Sequence, residues 1–233
     1  MKTTRKSELT KITAKLYAPM YADFDKQLSS ALLRRDAFID RMIAVEIPHL
    51  REDLAGKEMS SMAKRYVSQS LKGMGGKKAD KLRQVSISLH WETVDSLNEA
   101  VRDHNLVRDS FINWMIALLR SSDTLLERLG LPARITALRR YGTEDMPTSP
   151  LKAIEEIQSD PLHYLRAACE TQHGCGLYAL ALPTELHGLS CHLPDEDVPG
   201  TAANEEKHSR DKELLADLGD FEAAISPLKQ KQS

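Results

Sequence analysis

Gln84-Val85-Ser86-Ile87-Ser88-Leu89 alternates polar and apolar residues with the period of two that a half-buried strand requires. Immediately downstream the period changes. Val94, Leu97 and Val101 are spaced by three and four, as on one face of a helix. Asn105 follows, a residue that tolerates the left-handed conformation in which helices end. A second helix is predicted from Val107-Arg108-Asp109, with Phe111, Ile112, Met115, Ile116 and Leu119 on its inner face.

The same plan occurs earlier in the chain. Lys11-Ile12-Thr13-Ala14-Lys15-Leu16 predicts a strand, and Pro19 opens a helix at a position where a missing N–H costs nothing. Tyr21, Phe24 and Leu28 form its inner face. Arg35-Asp36 then starts a second helix, buried through Phe38, Ile39, Met42 and Ile43. Residues 11–47 align without a gap onto 84–120, with nine of 37 positions identical. One difference stands out: Leu32 takes the place of Asn105, which makes that turn less suited to a left-handed residue.

A strand–helix–helix unit of this size leaves its one strand with unpaired backbone groups on both edges. A second copy can supply the missing half. Antiparallel pairing of the two strands, with the four helices bundled beneath, satisfies both needs. The stretch of about 32 residues between the copies is long enough for this pairing within one chain. Pairing between two chains, giving a four-unit assembly, is the competing arrangement.

Both copies resemble the ribbon-helix-helix (Arc/MetJ-type) family of DNA-binding proteins. The resemblance covers 11–47 and 84–120, about a third of the chain, and rests on pattern and length rather than on an invariant motif. It implies a mainly α fold in which two β-α-α units pair as a pseudo-dimer around a two-stranded antiparallel ribbon. A helical C-terminal region and a largely disordered acidic tail complete the expected architecture. The expected boundaries are a first unit at 1–50, a helical and basic linker at 51–82, a second unit at 83–122, a helical accessory region at 123–192 and the tail at 193–233.

The linker pattern Met59, Met62, Ala63, Tyr66, Val67 and Leu71 predicts a helix ending at Gly73-Met74-Gly75-Gly76. Beyond the second unit, Leu125, Leu126 and Leu129 point to more helix, and Gly142 to Pro150 to a loop. Leu151–Ile157 and Leu162–Cys169 read as short helices around Asp160-Pro161, and Leu177–Leu182 as a strand or a buried helical turn. From about Leu193 the chain is polar and acidic, with a short helix expected at 211–224.

Composition sharpens this picture only through charge. The net charge is −2, yet residues 1–120 carry 21 Lys and Arg against 15 Asp and Glu, and residues 121–233 carry 11 against 19. A basic working half and an acidic tail result. No stretch approaches the roughly 20 apolar residues that span a bilayer. The basic N-terminus has no apolar run after it and does not read as a secretory signal. Three cysteines are too few and too clustered for a disulfide framework. The expected location is the cytoplasm of a bacterium, on its nucleoid or a plasmid, with no membrane association.

With Ile12, Ala14 and Leu16 inward, Lys11, Thr13 and Lys15 face outward, joined by Gln84, Ser86 and Ser88 of the second copy. A two-stranded ribbon fits the major groove, where Lys reaches guanine acceptors, Gln pairs with adenine and Ser or Thr serves either. The resemblance implies that these six positions contact bases. Any half-exposed strand shows polar residues outward, so the repeat carries the weight of the reading. The family also anchors phosphates at the start of its second helix, which implies Arg34, Arg35 and Arg108 as phosphate contacts. Asp36 and Asp109 share that turn and would repel phosphate; their plainer reading is capping. Lys77, Lys78, Lys81 and Arg83 form a basic run suited to sequence-independent phosphate contact, or simply to solvent. Two lysines on the first strand and none on the second predict an asymmetric target.

Cys169, His173, Cys175, His187, Cys191 and His192 match no standard zinc spacing. No phosphate-binding loop, dinucleotide-binding glycine motif or nucleophile elbow is present. No catalysis, metal or cofactor is expected. The expected function is sequence-specific binding of double-stranded DNA, as a transcriptional regulator or repressor, or as an accessory factor in plasmid transfer by conjugation or partition. Self-association into a higher oligomer is compatible with it. The alternative is an antitoxin-like or scaffold protein whose C-terminal region binds a partner protein.

Overall fold

The two alternating segments form a single antiparallel ribbon within one chain, β1 (Leu9–Tyr17) beside β2 (Leu82–His90). The computed structural model describes residues 8–74, 82–120, 122–131 and 159–212. Each strand is longer than the alternation alone predicts, and Trp91 N–H closes one end of the ribbon by donating to the Glu8 carbonyl at 3.2 Å. Register follows the period of two. Ile12, Ala14, Leu16, Val85, Ile87 and Leu89 all point into the core. A slip of one residue would expose every one of them.

β1 is followed by α1 (Ala18–Ser30) and α2 (Arg35–Asp53), and β2 by α4 (Trp91–Asp103) and α5 (Arg108–Arg120), with α3 (Ser61–Gly73) between the copies. The protein is mainly helical around this one two-stranded sheet. Pro19 lies in the first turn of α1, as its fixed φ favours. Phe24, Leu28, Ile39, Met42 and Ile43 of the first copy and Leu97, Ala100, Phe111, Ile112, Met115 and Ile116 of the second are all buried. Full burial of each large member contributes about 1.5–3 kcal/mol. Asn105 adopts φ +50°, and Leu32 at the matching turn is forced to φ +58°.

Three expectations change. α2 runs past residue 50 to Asp53 with Pro48 inside it. α5 has no polar face: Ser110 through Leu118 are all buried. The reason is a covering segment, which begins with α7 (His163–His173) and continues without regular strand structure through 177–182. That run is not a strand: 177–179 form a buried hydrogen-bonded turn and 180–182 are irregular. Leu177, Tyr178, Leu180 and Leu182 are buried in it, and its backbone is tied by side chains as well. Trp114 donates its indole N–H to the Leu177 carbonyl at 3.1 Å, and Asp53 accepts from Tyr178 N–H at 2.9 Å. A Cβ at Gly176 would fall 1.7 Å from Asp53 Oδ1, so a side chain there displaces the carboxylate that holds Tyr178 N–H.

A buried polar knot fastens this segment to α2. Glu46, fully buried, accepts from Arg166 at 2.7 Å and from the Tyr178 hydroxyl at 2.8 Å, and Arg166 also pairs with Asp160. Further on, a 3-10 turn at Thr184–Leu189 packs behind α3, with His187 edge-on to Tyr66 at 5.8 Å. The short α6 (Asp123–Arg128) is capped by the Ser122 hydroxyl.

The chain divides into two compact units, Met1–Leu193 and Pro194–Ser233. In the second, where the sequence predicts mostly disorder, a 3-10 turn at Asp195–Asp197 precedes helix over 202–212. Thr201 joins the two: its hydroxyl donates to the Asp195 carbonyl and accepts from Asn204 N–H. Of the helix expected at 211–224, only residues 211 and 212 lie among the described ones. The expected loop at 142–150 and helix at 151–157 lie outside them. No described helix is long and apolar enough to cross a membrane.

Candidate nucleic-acid interface

The outer face of the ribbon carries Lys11, Thr13 and Lys15 opposite Ser88, Ser86 and Gln84, in three directly facing pairs. Five of these six side chains are exposed, and Ser88 is half-buried. The ribbon therefore collects all six onto one surface. Thr13 and Ser86 hold the same position in the two copies and face each other, so the local two-fold relationship passes between them. At one end of the ribbon the outer face also shows Leu9, about half exposed, opposite His90.

The helices of each copy serve the strand of the other. Asp36 Oδ2 accepts from Ser88 N–H at 3.0 Å, and Asp109 Oδ2 from Lys15 N–H at 3.2 Å. Arg35 donates to the Ser86 carbonyl at 3.3 Å, and Arg108 to the Thr13 carbonyl at 2.6 Å. One turn later, Asp40 accepts from His90 N–H at 2.8 Å. Asn113, in the same repeat position, accepts from Tyr17 N–H at 2.9 Å and donates to the Lys15 carbonyl at 2.9 Å. Both free edges of the ribbon are thereby capped, which blunts their tendency to pair with other strands. Sequence reasoning places Asp36 and Asp109 at a helix start and misses this role. The available signal is that both copies put an acid at the same repeat position.

This wiring settles where the negative charge goes. Burial by itself would raise the Asp36 carboxyl, but the Ser88 N–H bond and the adjacent Arg35 guanidinium hold it below the ordinary carboxylate value. Asp36 and Asp109 are turned toward strand amides, not toward the outer face. The Arg35 guanidinium is likewise engaged, pairing with Asp36 at 2.7 Å and donating to the Tyr21 hydroxyl at 2.8 Å. Arg34 is exposed at the start of α2, and Arg83 is exposed with the strand parity of the buried Val85. Lys77, Lys78 and Lys81 lie outside the described residues.

Two grooves flank the ribbon at the starts of α2 and α5. The first, about 670 Å³, mixes Arg34 and Arg35 with Glu8, Asp36 and Asp40. His90 borders it, its imidazole pKa raised by the hydrogen bond that Nδ1–H donates to Asp40 Oδ2 at 2.5 Å and by that carboxylate's charge. The second, about 630 Å³, is lined by Lys64, Arg65 and Lys72 of α3 together with Arg108. The sequence reading passes over these α3 cations because it uses that helix only for its apolar face.

Among the described residues no group of three or more His, Cys, Asp or Glu is placed to hold a metal ion. Cys169, Cys175 and Cys191 are free thiols, and burial pushes Cys169 and Cys191 well above the usual thiol range. Such thiols carry little thiolate and are poor nucleophiles. No family model, curated protein or solved structure matches this chain.

Proposed function

We propose that the protein binds double-stranded DNA sequence-specifically, inserting its β-ribbon into the major groove as in the ribbon-helix-helix arrangement that both copies resemble. One observation carries this reading: the antiparallel β1–β2 register gathers Lys11, Thr13, Lys15, Gln84, Ser86 and Ser88 on one polar face without an acid among them. Lys11 and Lys15 suit guanine N7 and O6, Gln84 suits adenine, and the three hydroxyls suit either. Cationic side chains beside the ribbon supply the sequence-independent part of the affinity. The edge caps support the reading further, since they fix the ribbon's twist and spare it from recruiting strands.

The two halves of the face differ: both lysines lie on β1 and none on β2. The target is therefore a composite of unlike half-sites rather than a palindrome. Site occupancy, not chemistry, is the mechanism, in the service of transcriptional control or of plasmid transfer or partition. The test is selection of bound fragments from random duplex DNA, followed by mobility shifts. Lys15→Ala and Gln84→Ala each weaken the selected site by about 1–3 kcal/mol and relax preference at one base pair. Failure to enrich any sequence, or equal binding by wild type and both variants, ends the proposal.

A further inference from the structure

We propose that the polar face of α3 grips the phosphate backbone of duplex DNA on one side of the ribbon's footprint. The proposal rests on the DNA-binding reading of the ribbon. α3 contains three cations and no acid in Ser61–Gly73. Its sequence sorts cleanly by the helical period. Ala63, Val67 and Leu71 are buried, while Ser61, Lys64, Arg65, Ser68, Gln69 and Lys72 line the groove beside the start of α5. Every one of those six side chains can donate a hydrogen bond. From Ser61 to Lys72 the stripe runs roughly 16 Å, the rise of about five base pairs along one strand.

The groove is continuous with the reading surface. Arg108 lines it and also donates to the Thr13 carbonyl, so the cationic wall begins at the β1 edge itself. The one acid lining it, Asp109, is turned to the ribbon: Oδ2 accepts from Lys15 N–H, while Oδ1 is buried 3.7 Å from Arg108 without a hydrogen bond. Lys64 is oriented by a 2.9 Å bond to Asn105 Oδ1. Arg65 and Lys72 are exposed and form no hydrogen bond or ion pair with other described residues. Charge placed this way, without internal partners, suits a polyanion outside.

α3 is also held in place from behind, as a phosphate clamp requires. Gly188 sits so close that a Cβ there would come 2.5 Å from the Leu71 backbone nitrogen, and His187 stacks edge-on to Tyr66. The segment around 184–189 is thus a brace for the clamp. The groove on the other strand edge carries Glu8 and Asp40 among its cations and offers no such wall. Among the described residues, the more extensive flanking phosphate contacts are therefore expected on the β1 side.

The experiment uses the full chain and a duplex it selects from random DNA. Phosphate-ethylation interference and the salt dependence of binding are compared for wild type, Arg65→Gln/Lys72→Gln and Lys11→Ala/Lys15→Ala. Expected for Arg65→Gln/Lys72→Gln are an unchanged melting temperature and an unchanged sequence preference. The slope of log K against log salt falls by about two units, and interference is lost at flanking phosphates on one side. Lys11→Ala/Lys15→Ala instead loses sequence preference while keeping that flanking interference. An unaltered slope and unaltered interference in Arg65→Gln/Lys72→Gln overturn the α3 assignment and leave the ribbon reading standing. Flanking interference of equal extent on both sides also overturns it. A wild-type chain that selects no duplex overturns both.

Discussion

Thr13 and Ser86 occupy one and the same position of the repeat and face each other across the ribbon. From that pairing the rest of the wiring follows. A two-fold relationship centred there swaps the partners, so α2 of the first copy serves β2, and α5 of the second serves β1. Neither copy satisfies its own strand. Folding of the two halves is therefore coupled through a few polar contacts as well as through the shared core.

Asp36→Ala tests that coupling. It removes the acceptor of Ser88 N–H and the ion-pair partner of Arg35. A hydrogen bond to a charged group contributes about 1.5–3 kcal/mol, so the urea midpoint falls by that equivalent with no change in slope. The folded pKa of Asp36 lies below its unfolded value. Its contribution is therefore complete above the unfolded carboxylate pKa of about 4 and disappears as pH falls through the lower folded value. Wild type and Asp36→Ala converge in stability only in strong acid. A constant gap down to that range contradicts the assignment.

His90 provides a pH dependence of the opposite sign. The Asp40 hydrogen bond and charge raise its pKa above the ordinary imidazole value. The stabilisation is fully present below the unfolded pKa of about 6.5 and is lost as pH rises through the raised folded value. The difference in melting temperature between wild type and His90→Gln should be largest near pH 5–6 and shrink above it. A ring titration by NMR with a midpoint at or below the ordinary value would count against it.

The periodicities of 11–16 and 84–89 place both strands, and the change of period places the four helices beneath them. These features are local, so one segment of sequence contains them. The long-range contacts are not. Glu46 and Arg166 lie 120 residues apart, and nothing near either announces the other. An apolar stripe on α5 is legible, but its full burial depends on Leu177 and Tyr178 covering it from a distant, irregular segment. The six ribbon side chains were legible through alternation. The cations of α3 are equally visible in the sequence, but the groove they form with the start of α5 is a long-range arrangement that the apolar face of the helix does not announce.

Arg166→Met should be among the most damaging single changes within Met1–Leu193. It leaves the Glu46 carboxylate, whose side chain has no exposure, without its Arg166 counter-ion and with the Tyr178 hydroxyl still donating to it. Breaking a buried pair from one side costs about 3–5 kcal/mol, whereas replacing the whole pair by apolar groups is often neutral. Glu46→Leu/Arg166→Met/Tyr178→Phe should therefore recover most of the loss, measured by urea unfolding. If the triple variant is as unstable as the sum of its parts, the knot contributes more than it costs.

Leu32 and Asn105 give the last prediction, because one position of the repeat is filled well in one copy and badly in the other. The backbone is the same at both: Leu32 N–H donates to Ser29 and Leu33 N–H to Leu28, as Asn105 does to Arg102 and Leu106 to Val101. Both residues sit at positive φ. A left-handed conformation costs a branched L residue about 1–2 kcal/mol and costs Asn less. The Leu32 side chain is 92% exposed, so removing it opens no cavity. Leu32→Asn should stabilise the protein by about 0.5–1 kcal/mol. Asn105→Leu does the reverse and more, since Asn105 also donates to the Met59 carbonyl at 2.7 Å and accepts from Lys64 at 2.9 Å. Strain and two lost hydrogen bonds together set its cost at about 2–4 kcal/mol. Denaturant midpoints of the two single variants measure both effects, and a stability loss in Leu32→Asn would show that the turn is not strained.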